Sequence, residues 1–352
     1  MRLEFLSSTP PSPTEGSGTW VAIDGVMRGL ARLGHTASLR PLARRSGVHT
    51  FDRWRYNRAL LHTSPRADVV IGVDLDGFLW APRRSPRMPY AVMLKGIIAD
   101  ELRNERGLVR ALLAVQARWE RRNVHAADRV IVPSRYSAAV AHEVYGVPAG
   151  SIAVVPEPID LGEWRRRFAA APPRSSAAPT VLSVARMYPR KRLEDLLRAA
   201  HRLRLRIPDL RLRIVGAGPE SDRLQRLAAD LALAETATFL GEISRQALAV
   251  EYVGADCFCL PTVQEGFGIV FTEAMAAGLP VVACRAAAVP EVVDDGRTGV
   301  LVTPRSPEEL AMAIEKLLMH TTLRRELGDN GRRRAEAFDL QPVAARLLEA
   351  LP

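Results

Sequence analysis

The chain has 352 residues and a formal net charge of +10; 47% of its residues are hydrophobic and 25% are charged. This length allows two domains of ordinary size with separate cores, and the composition is that of a globular protein without low-complexity tracts. No stretch approaches the roughly 18 unbroken apolar residues of a membrane-spanning helix, and Glu4 interrupts the short apolar run at the amino end, so neither a spanning segment nor a signal peptide is expected.

The positive charge is concentrated in the first half of the chain. Residues 1–168 contain 25 Lys and Arg against 16 Asp and Glu, a net +9, whereas residues 169–352 contain 24 against 23, a net +1. Genomic base composition could favour arginine over lysine throughout, but it would not make the two halves differ. The asymmetry predicts an anionic partner for the first half, and we expect this partner not to be nucleic acid.

Five apolar runs predict strands in the first half, with longer irregular stretches between them. The runs are LEFL (3–6), TASL (36–39), DVVIGV (68–73), YAVML (90–94) and RVIVP (129–133). Strands that alternate with helical stretches in this way predict a parallel sheet that is covered on both faces.

Two aspartates, Asp74 and Asp76, follow the third of these runs in the sequence DLDG. An apolar strand that ends in Asp-x-Asp resembles the start of haloacid-dehalogenase-like phosphatases, and Asp294 and Asp295 could complete a magnesium site. The phosphatase motif usually opens its domain, however, whereas this one follows several elements. A magnesium-dependent hydrolase stays an alternative, which release of phosphate from simple phosphomonoesters would reveal.

An arginine-rich segment, residues 103–122, has the pattern of an amphipathic helix. One face carries Leu108, Leu112, Val115 and Trp119, and the arginines roughly opposite are Arg106, Arg110 and Arg121. Such a stripe is usual for a surface helix whose apolar side packs on the core, but it also suits a peripheral membrane contact. Both interpretations stay open, as do a lipid-linked acceptor and a soluble anionic one.

Residues 165–179, RRRFAAAPPRSSAAP, lack periodicity and are rich in Pro, Ala and Ser, which predicts a linker between two domains. The second half then repeats the strand and helix rhythm. Strands are predicted at 181–185, 210–215, 238–240, 256–261 and 280–284, a helix with apolar positions at helical spacing begins at Leu193, and two helices close the chain.

The three cysteines, Cys257, Cys259 and Cys284, all lie in apolar runs of the second half. Their spacing is typical neither of a metal site nor of a disulfide framework. We therefore expect core residues in a reduced, cytoplasmic protein.

The stretch VQEGFGIVFTEAMAAGLPVVA, residues 263–283, places two carboxylates beside a glycine-rich turn. Glu265 follows a strand on a loop, and Glu273 lies in the first turns of the next helix. The backbone N–H groups of the helix start favour phosphate, and they belong to Phe267, Gly268, Ile269 and Val270. Because carboxylates accept hydrogen bonds from paired hydroxyls, this arrangement predicts a ligand with a diphosphate flanked by sugars, a nucleotide sugar.

Positive charge for the diphosphate follows the first strand of the second half. Arg186 and Lys191 lie five positions apart across a short loop in VARMYPRKR, and both can bind phosphate oxygens. They stand where a metal ion would otherwise neutralise the phosphates, so no metal and no other cofactor is expected.

Five ordered motifs in residues 179–338 resemble the second domain of the retaining glycosyltransferases of family 4, which have the GT-B fold. They are ARMYPRK, IVGAGPE, FLGEI, EGFGIVFTEAMAAGLPVVA and DDGRTGVLV. The resemblance implies an α/β protein with two Rossmann-like, doubly wound domains that face each other across a cleft. It further implies an acceptor-binding domain at 1–168, a nucleotide-sugar domain at 169–338, and a last helix in 339–352, from about Gln341, that crosses back to the first domain.

Roles for individual residues also follow from the resemblance. Arg186 and Lys191 would bind the diphosphate of a UDP- or GDP-sugar, and Glu265 would contact the transferred sugar. Glu273 would hold the ribose hydroxyls, and Gly241 to Ile243 would border the base. In this family the acceptor attacks the sugar from the same face from which the nucleoside diphosphate departs, and the reaction usually needs no metal ion. A non-catalytic nucleotide-sugar binding protein is the remaining alternative.

The first half resembles the family less specifically. Gly16 and Gly18 flank Ser17 in a stretch like the family's opening glycine loop, where they would border the donor. Two departures stand out: Glu157-Pro158 replaces the usual Asn-Gly, and Lys95 replaces a histidine that binds the donor sugar. A buried lysine needs an anion nearby, and the candidates are a carboxylate such as Asp74 or Asp100, the donor diphosphate, or an anionic group of sugar or acceptor.

Overall fold

The structure is a computed structural model that describes residues 1–12, 17–173 and 177–352. The strands are β1 Arg2–Leu6, β2 Thr36–Arg40, β3 Val69–Val73, β4 Tyr90–Met93, β5 Arg129–Val132, β6 Ile152–Val154, β7 Thr180–Val184, β8 Arg211–Val215, β9 Ala237–Gly241, β10 Cys257–Leu260, β11 Val281–Cys284 and β12 Gly299–Val302. The helices are α1 Ser17–Arg32, α2 His49–Leu60, α3 Ile98–Glu101, α4 Gly107–His125, α5 Arg135–Tyr145, α6 Leu161–Ala169, α7 Leu193–Leu203, α8 Ser221–Asp230, α9 Arg245–Gly254, α10 Ile269–Ala277, α11 Val289–Val292, α12 Pro307–Met319, α13 Thr321–Ala335 and α14 Leu340–Ala350.

The chain folds into two compact units. Unit 1 comprises Met1–Pro158 together with Phe338–Pro352, and unit 2 comprises Ile159–Ala337. Each unit contains one six-stranded sheet in which the paired strands are parallel. The predicted fold class, two doubly wound α/β domains, is confirmed.

The sheet of unit 1 has the strand order β2-β1-β3-β4-β5-β6. Its central strands are apolar and buried, as expected where helices cover both faces of a parallel sheet. One face packs on Ile23, Val26 and Leu30 of α1, and the other includes Tyr90 and Trp80.

The last helix of the chain, α14, belongs to unit 1. Its residues Val343 and Leu347 are fully buried in the same core as α1. Two glycines of α1 permit this close approach, since a Cβ at Gly29 would lie 2.4 Å from the carbonyl oxygen of Leu340. The helix predicted from about Gln341 begins at Leu340.

The sheet of unit 2 has the strand order β12-β11-β10-β7-β8-β9. The four residues of β10 and of β11 are all buried, and they include the three cysteines. These cysteines are free, and burial raises the pKa of Cys257 and of Cys284 to about 12, so both are uncharged thiols of the core.

Part of the predicted linker is helical. Residues 165–169 complete α6, which begins after Asp160, whose side chain accepts a hydrogen bond from the N–H of Glu163 at 2.9 Å. The helix buries Trp164 edge-on against Tyr252, with ring centroids 5.6 Å apart. Because this packing ties α6 to α9 and α10, unit 2 starts at Ile159, ahead of the boundary at 168/169 expected from the sequence.

Other elements also differ from the sequence prediction. The short strands β6 and β12 were not predicted, and three helices, α12, α13 and α14, close the chain where two were expected. The segment 103–122 starts with a short 3-10 helix, and α4 proper begins at Gly107. In the described ranges no helix has the length and apolarity needed to cross a bilayer.

Candidate functional site

The sheet of unit 2 has a topological switch point between β7 and β10. The two strands are neighbours, with Phe258 opposite Leu182, but β7 continues to β8 on one side and β10 continues to β11 on the other. In open α/β sheets ligands bind in the crevice at the carboxyl ends of the strands at such a point. Here the crevice is bordered by residues 185–192 after β7 and residues 261–268 after β10.

Hydrogen bonds hold these two loops together. The N–H of Val263 donates to the carbonyl oxygen of Arg190 at 3.0 Å, and the Thr262 hydroxyl contacts the same oxygen at 3.2 Å. The residue that follows Arg190 is Lys191, so its side chain starts close to the second loop.

Lys191 and Glu265 form an ion pair across the two loops, with Nζ of the lysine bound to Oε1 of the glutamate. Only 12% and 10% of their side chains are exposed. The structure therefore joins two residues that are 74 positions apart and that were both predicted for the site. Such a pair is strongly electrostatic because little water screens it.

Arg186 lies on the first loop with an exposed side chain. Its guanidinium carbon is 5.9 Å from the centroid of the Tyr188 ring, and that of Arg190 is 4.9 Å from the same ring. In the described part of the chain no carboxylate binds the Arg186 guanidinium, which leaves its donors available to a ligand.

The amino terminus of α10 follows Glu265 closely. Gly268 precedes the helix with a left-handed φ of 93°, and a Cβ there would lie 2.5 Å from the Phe271 ring, so glycine is required. Among the described residues no side chain caps this end. The first amides of a helix have no partner within it, and those of Ile269 and Val270 can therefore serve an anion.

Glu273 lies one turn further along α10 and is buried, with 7% of the residue exposed. Its Oε2 accepts a hydrogen bond from the Tyr252 hydroxyl at 3.1 Å. Burial raises the pKa of Glu273 to about 7, and the Arg245 guanidinium and the Tyr252 hydroxyl oppose this shift only in part. The carboxyl is thus close to half protonated at neutral pH.

The loops after β8 and β9 lie beside the loop that carries Arg186. The N–H of Gly216 donates to the Gly241 carbonyl at 2.8 Å, and a Cβ at Gly216 would lie 2.1 Å from the carbonyl oxygen of Ala185. Gly241 has a φ of 65° at the end of β9, and Ile243 is half-buried just before α9. The sequence-predicted residues of unit 2 lie after or at the ends of β7, β9 and β10, or in the first two turns of α10.

The structure says less about the predicted residues of unit 1, which are Gly16, Gly18 and Lys95. Gly16 lies outside the described residues, and Gly18 is exposed in the first turn of α1. Lys95 follows β4, and its Nζ is 2.8 Å from Oε2 of Glu157, with 8% and 6% of the two side chains exposed. Its backbone N–H donates to Asp74 at 2.8 Å. The anion that binds the Lys95 ammonium is therefore a carboxylate, as expected, but it is Glu157; of the two carboxylates suggested by the sequence, Asp74 binds the Lys95 backbone.

The aspartates of the phosphatase alternative serve the fold. Asp76 accepts hydrogen bonds from the backbone and hydroxyl of Ser8 at 2.6 and 2.7 Å and from the Asn57 amide at 2.9 Å. Burial raises the pKa of Asp74 to about 6. Within the described residues no cluster of His, Cys, Asp and Glu is arranged to hold a metal ion. The hydrogen bonding of Asp76 gives no support to a hydrolase built on this pair.

Several contacts were not predicted from the sequence. Tyr188 stands between two arginines in RMYPRK, a signal that could have identified it as their stacking partner. Tyr252 and Arg245 lie on α9 in an ordinary helical pattern, and only the fold brings them to Glu273.

Comparisons with known proteins identify the family of the chain. The family model of glycosyl transferases group 1 matches residues 165–334, and that of Glycosyltransferase Family 4 matches residues 21–163. The chain is 35% identical over 260 residues to a GDP-mannose-dependent alpha-(1-6)-phosphatidylinositol monomannoside mannosyltransferase of Mycolicibacterium smegmatis, which covers 68% of this chain and 66% of the relative. It is 34% identical over 235 residues to D-inositol 3-phosphate glycosyltransferase 2 of Catenulispora acidiphila, covering 63% of this chain and 55% of the relative.

In each case the match spans less than two thirds of the relative's own length.

Two solved structures resemble the fold over nearly all of the chain. Sucrose-phosphate synthase of Thermosynechococcus elongatus has a TM-score of 0.81 at 22% identity and covers 99% of this chain and 97% of that one. HepE of Anabaena, crystallised with UDP and glucose, has a TM-score of 0.75 at 20% identity and covers 99% and 98%. Two family models that together span both halves, and this likeness in fold, place the chain in the glycosyl transferases group 1, with the GT-B fold.

Proposed function

We propose that the protein transfers a sugar from a UDP- or GDP-linked donor to an acceptor hydroxyl, with retention of configuration and without a metal ion. The observation that carries the proposal is the Lys191–Glu265 ion pair at the switch point of unit 2. It joins a cation suited to phosphate and a carboxylate suited to sugar hydroxyls at the place where ligands of such sheets bind.

The diphosphate would bind to Lys191, to Arg186 and to the amide groups at the start of α10. The arginine supplies a planar fork of donors and the lysine a compact charge, while the helix start adds a partial positive charge. These groups together can neutralise a diphosphate, and this supports a donor site that needs no metal ion.

In the reaction, the bond between C1 of the sugar and the oxygen of the β-phosphate breaks, and its electron pair stays on that oxygen. The acceptor oxygen forms a new bond to C1 on the same face, and the acceptor proton leaves with the diphosphate or to water. Lys191 and Arg186 would stabilise the charge that develops on the leaving group. Preorganised charge of this kind is commonly worth about a hundred- to a thousandfold in rate.

Other residues would position the donor. Glu265 would accept hydrogen bonds from the sugar, the backbone from Phe267 to Val270 would contact its far side and the phosphates, and Glu273 would accept from the ribose. Gly241 and Ile243 would border the base. The relative from M. smegmatis is named as GDP-mannose-dependent, whereas HepE was crystallised with UDP, so both nucleotides are candidates.

Unit 1 would serve the acceptor. Its first 158 residues carry 22 Lys and Arg against 14 Asp and Glu, a net +8 of the chain's +10, and both relatives above are named for phosphorylated inositol compounds. We therefore propose an anionic acceptor, either lipid-linked or soluble, and a cytoplasmic protein that reaches the inner face of the membrane through residues 103–122.

Titration calorimetry of UDP and GDP in the presence of a chelator tests the donor site. We expect at least one of them to bind, and binding that needs magnesium or manganese would contradict the proposal. Detection of sugar transfer separates an enzyme from a non-catalytic binding protein.

Two variants test the division of labour between the carboxylates. Glu273→Ala should weaken binding of the free nucleoside diphosphate because the ribose loses its acceptor. Glu265→Ala should leave that binding intact but reduce transfer, since the sugar contact is lost. The exposed Glu235 offers a control, because Glu235→Ala should change neither quantity. Equal loss of nucleotide affinity in both site variants would mean that the ends of the donor are assigned the wrong way round.

A further inference from the structure

The amino-terminal half of α4 does not pack on the core of unit 1. All six residues from Gly107 to Leu112 are exposed, and Leu108 and Val109 are exposed by 75% and 53%. Only towards the other end does the apolar stripe reach the interior, where Trp119 stacks on Phe78 with ring centroids 5.1 Å apart. Of the two interpretations of this stripe, packing on the core holds for Trp119 but not for Leu108, Leu112 and Val115.

A second exposed apolar stripe lies on α2. Phe51 and Trp54 are exposed by 48% and 36%, and their rings stack with centroids 6.0 Å apart. Val48, just before the helix, is exposed by 58%. The opposite side of α2 packs on the core of unit 1 with Tyr56 and Leu60. The aromatic pair therefore faces outward.

The two helices that carry these stripes are joined by hydrogen bonds of Gln116. Gln116 of α4 donates to the hydroxyl of Thr50 at 2.8 Å and accepts from the guanidinium of Arg53 at 3.2 Å. Thr50 precedes Phe51, Arg53 precedes Trp54, and Gln116 follows Val115. We call the combined outer surface, formed by Val48, Phe51, Trp54, Leu108, Val109, Leu112 and Val115, the α2–α4 face.

The two segments that carry the α2–α4 face are rich in arginine, although Arg106, Arg110 and Arg121 lie on the other side of α4. Residues 44–58 contain five arginines and one aspartate, and residues 103–122 contain six arginines and two glutamates, a net +4 in each segment. Two of the three acids, Asp52 and Glu120, are buried; among the arginines, Arg53 is turned inward to Gln116 and Arg55 pairs with Asp52. Arg58 lies over the Trp54 ring at 5.5 Å, which places a cation next to the aromatic pair.

We propose that the α2–α4 face docks on an anionic lipid surface, with its apolar side chains entering the headgroup boundary and its arginines contacting lipid phosphates. A second copy of the chain would fit poorly, because a twofold contact would bring this positive surface against itself. Exposed apolar side chains in segments rich in arginine are the pattern of interfacial membrane binding. The proposal deepens the acceptor side of the proposed function and rests on it, and it adds α2 to the contact suggested for residues 103–122.

Cosedimentation of the purified chain with vesicles tests the proposal without donor or acceptor, so failure of vesicle binding and failure of sugar transfer are separate results. We expect binding to vesicles of phosphatidylcholine with phosphatidylglycerol, little binding to phosphatidylcholine alone, and weakening with added salt. Trp54 should also change its fluorescence on binding, and Trp54→Phe should remove most of that change.

The variant Trp54→Ser/Leu108→Ser should bind anionic vesicles at least roughly tenfold more weakly, because two apolar side chains no longer leave water. Leu205→Ser is the matched control, since Leu205 lies in unit 2 and has the same 75% exposure as Leu108. Both variants alter exposed positions and should keep the melting temperature of the parent chain, and Leu112→Ser provides a second, milder test.

Three results would overturn the proposal. They are no binding of the parent chain to anionic vesicles, equal binding by the double variant, and concentration-dependent dimers of the parent chain in sedimentation that the double variant abolishes. The last result would assign the α2–α4 face to a contact between two copies of the protein.

Discussion

Lys95 and Glu157 form a buried ion pair in unit 1, and the burial decides what their removal would do. Burial raises the pKa of Glu157, and the nearby Lys95 ammonium opposes this shift. Lys95→Met would leave a buried carboxylate without its cation, a change that typically costs about 3–5 kcal/mol. We expect a melting temperature several degrees lower by scanning calorimetry, and recovery of most of it in Lys95→Met/Glu157→Leu.

A different result for Lys95→Met would assign Lys95 to the substrate. If Lys95→Met keeps its melting temperature and loses at least tenfold in transfer, Lys95 acts on substrate and its pairing with Glu157 is secondary. Lys95→His would then be expected to restore part of the transfer.

The sequence could identify Lys95 and Glu157 only as two separate departures from the family pattern. They are 62 positions apart, one after β4 and the other after β6, and no local periodicity links them. The fold shows that each departure supplies the partner of the other. The same holds for Lys191 and Glu265. Sequence motifs predicted each residue for the site, but only the fold shows that the two side chains are in contact.

If Glu273 binds the ribose as proposed, donor binding should depend on pH. Its pKa of about 7 exceeds the ordinary value of 4.5, so its protonated form stabilises the fold at low pH and this contribution is lost as the pH rises through 7. Ribose hydroxyls, in contrast, need the ionised form as their acceptor. Nucleotide affinity should therefore increase from pH 6 to pH 8, within a range set by about one unit on each side of this pKa.

Titration calorimetry of the nucleoside diphosphate across this range checks the prediction. Glu273→Gln cannot ionise, so its affinity should lack the increase, and its stability relative to the parent chain should improve as the pH rises. An unchanged pH profile in the variant would assign the dependence to another group, such as the phosphates of the ligand.

At the scale of elements, Gly268 is needed for the backbone at the start of α10 and for the phosphate site proposed there. Gly268→Ala forces a side chain into a left-handed backbone and against the Phe271 ring, with strain of about 1–3 kcal/mol. Because the same backbone presents the amides of Ile269 and Val270, nucleoside diphosphate affinity should fall together with stability. Chemical denaturation and calorimetry measure the two effects.

Gly34→Ala is the matched control for this variant. Gly34 has a φ of 79°, but apart from its own atoms and its chain neighbours no described atom lies within 4 Å of its Cβ position, and it follows α1 in unit 1. It should show the backbone strain without the clash and without any loss of nucleotide affinity. If both variants lost equal affinity, the start of α10 would not be a specific phosphate site.

The central strands could be predicted because both faces of a parallel sheet are covered, so strands such as β3, β4, β10 and β11 are continuous apolar runs. Residues 152–154 escaped prediction because β6 is a short edge strand that is only half-buried. The start of α6 was missed because the Pro, Ala and Ser composition after Phe168 dominated the interpretation. A local signal was present, since Asp160 caps the helix and Glu163 lies three positions later.

For the whole molecule, the two domains could be predicted from length and from the repeated strand and helix pattern. The unequal charge of the halves was also visible, but the exposed α2–α4 face was not. Periodicity places Leu108 and Leu112 on one side of a helix, whereas only the packing of unit 1 shows that this side lacks a neighbour in the described chain.

The proposed donor site lies within unit 2, so donor binding should stabilise that unit. A nucleoside diphosphate at a hundred times its dissociation constant adds about 2.7 kcal/mol. For the 179 residues from Ile159 to Ala337, with an unfolding entropy of about 2.1 cal/mol/K per residue, this raises the melting temperature by about 7 °C.

If the units unfold separately, scanning calorimetry of the full chain should show this shift in one transition, and Lys95→Met should lower the other. If all 352 residues unfold together, the same binding energy raises a single transition by only about 4 °C. A ligand that shifts the transition lowered by Lys95→Met, and not its companion, would contradict a donor site in unit 2.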